Sequence, residues 1–319
     1  MCLMIENNLP YTPFFVVGPL RSGTTLLRLL IDHHPDINCF GEFEGAVSQA
    51  RGDEWPEIQD YVQFVKSDRQ TSHYDFRISP ELSYSELVRD FMSQLYTKNP
   101  QRLVGASVHS RMDLLPILWP EAKYIKLFRD PRDVAKSCIG MGWVGNVYKG
   151  SKYWIEPERH WEILRDRVHS DQLLSVWYEE LVSNPEAELA RICEFLGCEF
   201  NPAMLELDSD TTYAKPDKRY AFQWKTKLNK RQIELVEYRC KEMMESRGYE
   251  LSSNSANPPT LFEKITLTLQ NRIYRVSFNI RAYGFLNWFL FVVSKKLGMK
   301  NLSLRMTKKI GAIRAKSLR

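Results

Sequence analysis

The fold is indicated by one short segment near the start of the chain, Phe14-Phe15-Val16-Val17-Gly18-Pro19-Leu20-Arg21-Ser22-Gly23-Thr24-Thr25. Consecutive apolar residues that end at a glycine are typical of a buried strand. After the loop, apolar residues resume at helical spacing from Leu26 to Ile31, and His33-His34-Pro35 ends that helix. A strand, a glycine-containing loop and a helix, in this order, are the opening of a nucleotide-binding α/β domain.

The remainder of the chain continues the alternation of strands and helices. Further strands are predicted at Leu103-Val104, Tyr124–Phe128 and Leu173–Trp177, and further helices at 187–196, closed by Gly197, and at Gln232–Arg247. This order predicts an α/β fold, a P-loop-like three-layer α/β/α arrangement with a parallel central sheet, over residues 11–250. The Ser-, Asn- and Pro-rich residues 251–259 predict a linker, and residues 260–319 a basic helical C-terminal extension.

The charge of the chain is divided unevenly. Residues 260–319 contain 13 Lys and Arg against the single acidic Glu263, whereas the first 259 residues contain 31 basic and 38 acidic residues. Two amphipathic patterns run through this basic segment: Leu261, Ile265, Leu269, Ile273, Val276 and Ile280, and then Leu302, Met306, Ile310 and Ile313 beside Lys308, Lys309, Arg314 and Lys316. Such a segment suits an anionic membrane surface. The alternative is a helical hairpin that packs on the α/β domain and has a solvated basic face.

The cysteines and histidines of the chain indicate its cellular compartment and whether it binds a metal. The six cysteines (Cys2, Cys39, Cys138, Cys193, Cys198, Cys240) form no CxxC pair, and the start of the chain lacks a basic region followed by an apolar one. We therefore expect reduced thiols, no secretory leader and a cytoplasmic location, peripheral on a membrane if the basic segment binds one. No metal-ligand spacing occurs, so no metal is expected. Nucleic acid is not an expected partner, because no binding motif is present.

The loop between the first strand and helix has the spacing of a phosphate-binding loop. Glycines at Gly18 and Gly23 let backbone N–H groups converge on an anion at a helix N-terminus. Thr24 stands where an ATPase has its lysine, and the positive charge is instead at Arg21. The pattern therefore predicts anion binding without the lysine and magnesium of triphosphate enzymes. An ordinary strand-to-helix turn with a capping threonine is the alternative.

Three motifs in order resemble the sulfotransferases that use 3′-phosphoadenosine-5′-phosphosulfate (PAPS). Their 5′-phosphosulfate loop commonly reads Arg-Ser-Gly-Thr-Thr, as at Arg21–Thr25 here. Their 3′-phosphate signature, a strand followed by Arg and then Ser, matches Arg129 and Ser137. A strand that ends in Tyr-Glu ahead of a helix closing in Phe-Leu-Gly matches Tyr178-Glu179 and Phe195–Gly197.

This resemblance implies a donor and a set of binding residues. PAPS would be the sulfuryl donor, with no metal. Its 5′ end would bind Arg21, Ser22, Gly23, Thr24, Thr25 and Leu26, its 3′-phosphate Arg129 and Ser137, and its adenine Tyr178; Arg21 would also neutralise charge on the leaving phosphate. The alternatives are a charged surface turn for the Arg129 segment and a half-buried strand tyrosine for Tyr178.

Two residues compete for the role of general base. His109 precedes Asp113-Leu-Leu-Pro116, which resembles the segment of cytosolic sulfotransferases whose histidine is the base, although Ser107 replaces their lysine. Glu42 follows Gly41, which resembles tyrosylprotein and many bacterial sulfotransferases, where a glutamate is the base. We favour His109. Phe222 stands where the protein-tyrosine enzymes carry serine, which makes a small-molecule, carbohydrate or lipid acceptor the expected one.

A second glycine motif and an aromatic segment follow the Arg129 strand. Gly140–Gly145 matches GxGxxG, but it follows a predicted helix, so a dinucleotide site is not expected and we predict a mobile segment beside the site. The aromatic residues Trp143, Tyr148, Tyr153, Trp154 and Trp161 either stack on an acceptor or belong to the core. The rival functions are a P-loop-type small-molecule kinase and a catalytically idle membrane-surface adaptor that retains the nucleotide pocket.

Overall fold

A computed structural model describes residues 9–52, 54–68, 71, 74–207, 214–252 and 257–317, with side chains as far as Ile313. Cys2, part of the predicted linker (253–256) and the side chains of Arg314 and Lys316 lie outside this description. Within it, the residues group by contact into two units. The first comprises the chain up to Asp130 together with Ile155–Gln223, and the second Pro131–Trp154 together with the chain from Trp224 onward. The sequence analysis instead divided the chain into consecutive ranges, and that division stays a prediction.

The helices of the described chain account for most of its regular structure. In chain order they are α1 (Thr24–Asp32), α2 (Ile58–Ser67), α3 (Tyr84–Lys98), α4 (Leu115–Leu118), α5 (Pro131–Gly140), α6 (Val147–Gly150), α7 (Lys152–Arg167), α8 (Tyr178–Ser183), α9 (Pro185–Leu196), α10 (Trp224–Lys227), α11 (Lys230–Ser246), α12 (Leu261–Tyr283), α13 (Phe285–Lys296) and α14 (Lys300–Ser317).

The first unit is built on a five-stranded sheet in which every strand pair is parallel. Its strands are β1 (Thr12–Val17), β2 (Ile37–Glu42), β3 (Leu103–Val108), β4 (Lys123–Phe128) and β5 (Leu173–Trp177), in the spatial order β2-β3-β1-β4-β5. This confirms the predicted α/β fold with a parallel central sheet. The carboxyl end of β1 therefore lies between those of β3 and β4, which is where ligands bind in open parallel sheets.

Both faces of the central strand are buried, which is why its sequence is a continuous apolar run. Phe15 and Val17 pack in one cluster with Phe91 of α3. Phe14 and Val16 point to the opposite face, where they pack in a second cluster with α1 and α9. With helices on both faces, the sheet is rigid, and its carboxyl edge holds the loops that follow it in fixed places.

The second unit is helical and is held by buried polar contacts as well as apolar ones. The Arg132 guanidinium lies 2.7 Å from the Glu237 carboxylate, with both side chains almost fully buried, and 3.6 Å from the Trp224 ring centroid. The Gly140–Gly145 segment follows α5, as expected. Its predicted mobility stays a prediction; in the structure a Cβ on Gly142 would fall about 2.1 Å from the Phe278 ring. Gly142 and Gly145 thus allow close helix contact.

The aromatic residues of this segment differ in their burial. Trp154 and Trp161 are buried and belong to the core. Trp143 and Tyr153 are half-buried, with ring centroids 5.4 Å apart.

Among the described helices, none is by itself long and apolar enough to cross a membrane; α12 and α13 meet that criterion only as a pair, which is bent by 119°.

Candidate active site

The loop between β1 and α1 is tightly wound. Its turn needs left-handed backbone at Arg21 (φ 70°) and Gly23 (φ 97°), and Gly23 faces a ring: a Cβ there would lie 2.4 Å from Cδ2 of Tyr178. Gly18 is equally constrained, since its Cβ would lie 2.7 Å from the Leu127 carbonyl oxygen. Only glycine fits at Gly23 without strain, so the spacing of the motif is a steric requirement of the loop.

The first turn of α1 presents its N–H groups to the space enclosed by this loop. The first helical hydrogen bond runs from Leu27 N–H to the Gly23 carbonyl, and no side chain caps the helix. The N–H groups of Thr24, Thr25 and Leu26 therefore have no partner within the helix, and the helix dipole adds to their attraction for an anion. The Leu26 side chain is buried in the core, so only its main chain is suited to binding.

Ser22 has a different role in the loop from the one its motif suggests. Its hydroxyl donates to the Pro19 carbonyl oxygen at 2.6 Å, and the side chain is fully buried. The hydroxyl hydrogen therefore holds the turn closed, which leaves only an oxygen lone pair for a ligand.

Arg129 lies against this loop at the end of β4. Its Nη1 donates to the Arg21 carbonyl oxygen at 2.9 Å, and its guanidinium carbon lies 4.0 Å from the centroid of the Tyr178 ring. The same ring covers Gly23. One aromatic side chain thus orients the arginine and closes the loop, and it brings two positively charged residues, 108 positions apart in sequence, to the same end of the sheet.

The turn after Arg129 is anchored by Glu179. Its Oε1 accepts the Asp130 N–H at 3.0 Å, and burial raises the pKa of Glu179 to about 7 against the opposing effect of its hydrogen bonds. The Tyr178-Glu179 motif therefore supports the arginine in two ways, through the ring and through the backbone of the next residue.

His109 and Glu42 lie on the other side of β1. The Nδ1 of His109 is 3.0 Å from the Gly18 carbonyl oxygen, and its Nε2 is 3.8 Å from the Glu42 carboxylate. A carbonyl oxygen only accepts, so Nδ1 carries a proton, and in the neutral imidazole the lone pair is on Nε2. His109 is 4% exposed and Glu42 41% exposed, so the imidazole has a fixed orientation and the carboxylate reaches solvent.

Glu44 is a supporting residue that the sequence analysis did not single out. Its carboxylate accepts hydrogen bonds from the backbone N–H of His109, at 2.9 Å, and from the Ser110 hydroxyl. The available signal in the sequence was its position two residues after Glu42. Strand β2 ends at Glu42 next to β3, so the residues that follow lie close to His109. Ser107 is buried, and its hydroxyl has no hydrogen-bond partner among the residues that the structure describes. It supplies no positive charge where the cytosolic enzymes have lysine.

The structure thus brings together most of the predicted site. Arg21, the N-terminus of α1, Arg129, Tyr178, His109 and Glu42 all lie in the first unit, at the carboxyl ends of its strands. Ser137 belongs to the second unit, where it is half-buried on α5, and its role stays a prediction.

Potential metal ligands meet at one place in the described chain. Side-chain ligand atoms of His34, Cys193 and Cys198 lie within 4.8 Å of one another. Both ring nitrogens of His34 are already engaged: Nδ1 accepts the Asp36 N–H at 3.1 Å, and Nε2 lies 2.8 Å from the Glu199 carbonyl oxygen. To bind a metal ion through a ring nitrogen, His34 would have to give up one of these hydrogen bonds to the main chain.

Known proteins resemble this chain in sequence and in fold. A putative protein-tyrosine sulfotransferase of Caenorhabditis briggsae is 28% identical over 202 residues, which cover 60% of this chain and 67% of that protein. The protein-tyrosine sulfotransferase of Drosophila melanogaster is 26% identical over 204 residues, covering 60% of this chain but 39% of its own length. Among solved structures, the sulfotransferase domain of the Synechococcus PCC 7002 olefin synthase matches with a TM-score of 0.56 at 22% identity, covering 77% of this chain and 98% of that domain.

The family assignment rests on more than these pairwise similarities. The model of the sulfotransferase family matches residues 13–202, which include the loop, Arg129 and the Tyr178-Glu179 motif. The chain belongs to the sulfotransferase family.

Proposed function

We propose that the protein transfers a sulfuryl group from PAPS to an acceptor hydroxyl, or to an amine. One observation carries the choice of donor: Arg129 is bonded to the backbone of Arg21 and stacked on Tyr178, so a second cation stands next to the anion-binding loop. PAPS differs from ATP in its 3′-phosphate and therefore needs two anion sites. A guanidinium offers a fork of donors that matches a phosphate.

The first anion site suits the 5′-phosphosulfate. The N–H groups of Thr24, Thr25 and Leu26 have no acceptor within α1, and Arg21 adds a full positive charge to the loop. In the transfer, the acceptor oxygen forms a bond to sulfur while the bond from sulfur to the phosphate oxygen breaks. Negative charge then builds on that phosphate, where preoriented donors stabilise it most.

The proton of the acceptor hydroxyl goes to His109 Nε2 in this proposal. The bond from Nδ1 to the Gly18 carbonyl fixes the tautomer and ties the base to the loop that would hold the donor. Once protonated, the imidazolium faces the Glu42 carboxylate, which stabilises its charge. The alternative keeps the same geometry and makes Glu42 the base.

The acceptor class and the location are part of the proposal. We expect a small-molecule, carbohydrate or lipid acceptor, because the serine of the protein-tyrosine enzymes is replaced by Phe222. A cytoplasmic location is the expectation from the cysteine usage of the sequence, which has no CxxC pair. No step in this scheme calls for a metal.

Thermal-shift titration tests the donor assignment. A ligand of the native protein raises stability by about 2.7 kcal/mol at a hundred times its Kd. Adenosine 3′,5′-bisphosphate, the desulfated donor, should raise the Tm progressively with concentration, whereas ATP with magnesium should not. The reverse result would favour the kinase. Incubation with radiolabelled PAPS and simple phenols, sugars and amines then separates an enzyme from an idle adaptor, which binds the nucleotide without transferring label.

A further inference from the structure

Helix α12 is attached to its own unit by one face. Asn271 Oδ1 accepts the Gly145 N–H at 2.8 Å, and the Tyr274 hydroxyl donates to the Ile139 carbonyl at 3.0 Å. The Phe278 ring packs on Gly142 from the next turn. Positions 271, 274 and 278 are three and four residues apart, so these contacts define a single side of the helix.

The opposite side of α12 carries an uncovered apolar stripe. Leu261 is 76% exposed and Ile273 61% exposed. The members of the stripe, spaced at helical intervals, are Leu261, Phe262, Ile265, Leu269, Ile273 and Val276, all of them exposed. They extend along about 23 Å of helix at 1.5 Å per residue. An amphipathic helix of a globular protein normally turns such a stripe to the core, so an outward stripe indicates an external partner.

The stripe is flanked by positive charge. Its C-terminal end forms an open cavity of about 470 Å³ whose apolar wall is Ile273, Val276 and Ile280, with Arg272 and Arg281 at its edge. Lys264 and Arg275 are exposed too, although they lie on the side of the helix that carries Asn271, and the basic residues of α13 and α14 whose side chains are described are also exposed. Glu263 is the one acidic residue of the segment 260–319.

We infer that this surface, which we call the α12 stripe, docks on an anionic lipid bilayer. The apolar residues enter the boundary between headgroups and acyl chains, and the arginines remain at the level of the phosphates. Charge decides between a bilayer and a second copy of the chain. Two copies would bring two strongly basic segments together, whereas anionic lipids neutralise them. The exposed Phe285, Leu286 and Phe289 of α13 add apolar surface beyond Gly284.

The inference goes beyond sulfuryl transfer and stands without it. It is tested by flotation of the full-length chain with phosphatidylcholine vesicles that either contain or lack phosphatidylserine. Ile273→Glu places a charge in the stripe, and Ile163→Glu places one at a 42% exposed isoleucine of α7 as the matched control. Arg272→Gln with Arg281→Gln removes two charges from the cavity edge. Circular dichroism melting and adenosine 3′,5′-bisphosphate binding report on folding of each variant.

We expect the wild-type chain to float with phosphatidylserine vesicles and to bind neutral vesicles at least tenfold more weakly. Ile273→Glu should lower the partition coefficient at least tenfold, the arginine pair should lower it about fivefold per charge, and Ile163→Glu should leave it unchanged. Failure of the wild-type chain to float, or equal flotation of Ile273→Glu and Ile163→Glu, would overturn the inference. So would sedimentation of a dimer that Ile273→Glu dissociates, because the stripe would then be covered by a second copy.

Discussion

Replacing Arg129 by lysine tests the second anion site while conserving its charge. In the structure, one guanidinium nitrogen is committed to the Arg21 carbonyl at 2.9 Å and the plane is stacked on Tyr178. A lysine ammonium has no planar fork, so it cannot keep the loop contact and also offer paired donors to a phosphate. The loss of one charge-assisted hydrogen bond costs about 1.5–3 kcal/mol, which is about a tenfold to hundredfold loss of affinity.

The assay is calorimetric titration with adenosine 3′,5′-bisphosphate and, separately, with adenosine 5′-monophosphate, which lacks the 3′-phosphate. We expect Arg129→Lys to weaken the bisphosphate at least tenfold and the monophosphate about threefold or less, because part of the loop contact is also lost. Arg165→Lys, at a side chain that is 50% exposed on α7, is the matched control and should change neither. An unchanged ratio between the two ligands would refute the assignment of Arg129 to the 3′-phosphate.

Three further outcomes follow from the site. His109→Ala should lower kcat by about a hundredfold or more and Glu42→Gln by about tenfold, while the affinity for adenosine 3′,5′-bisphosphate survives in both; wild-type-like turnover in both variants would reject the base assignment. Gly23→Ala should destabilise by about 2 kcal/mol or more in urea unfolding, since its Cβ meets a ring at 2.4 Å, whereas Gly197→Ala, also at positive φ (82°) but with open space, should cost only the backbone strain; equal losses would contradict the collision. Burial raises the pKa of Glu179 from 4.5 to about 7, so between these pH values the native state holds a proton that the unfolded chain releases. The contribution of this one group to stability is complete below about pH 4.5 and is lost, by about 3 kcal/mol, as pH rises through about 7. Glu179→Gln should remove this part of the pH dependence, and an unaltered slope would assign it to other groups.

The sequence predicted the strands whose apolar residues follow one another closely, such as β1, β4 and β5. The apolar runs of β1 and β4 are readable because nothing polar has to face solvent. Strand β2 was not predicted. It lies at the edge of the sheet, and Asn38, Gly41 and Glu42 interrupt its apolar pattern. Helix α3 was also not predicted, although a readable signal was present in the capping box formed by Ser83 and Glu86.

The site was predictable where its residues are contiguous and not where they meet through the fold. The loop and the Arg129 turn each follow a strand directly, so their residues are contiguous and can be recognised as motifs in the sequence. The contact between His109 and Gly18 joins positions 91 apart and depends on the β1–β3 register. The tautomer of the histidine follows from that contact alone, and periodicity carries no information about it.

The outward stripe of α12 shows the same limit at the surface. A helix was predicted here and is present as α12, but the spacing of its apolar residues does not tell which face is covered. The packing of Phe278 and Asn271 against the glycines of the Gly140–Gly145 segment decides that the polar and aromatic side faces inward. Gly142 and Gly145 therefore determine the orientation of α12 as well as allowing it to pack closely.

A crystal structure of the complex with adenosine 3′,5′-bisphosphate tests the central claim most directly. We predict the 5′-phosphate at the N–H groups of Thr24–Leu26 and the 3′-phosphate within hydrogen-bond distance of the Arg129 guanidinium. A nucleotide bound elsewhere, or a 3′-phosphate that Arg129 does not contact, would contradict it.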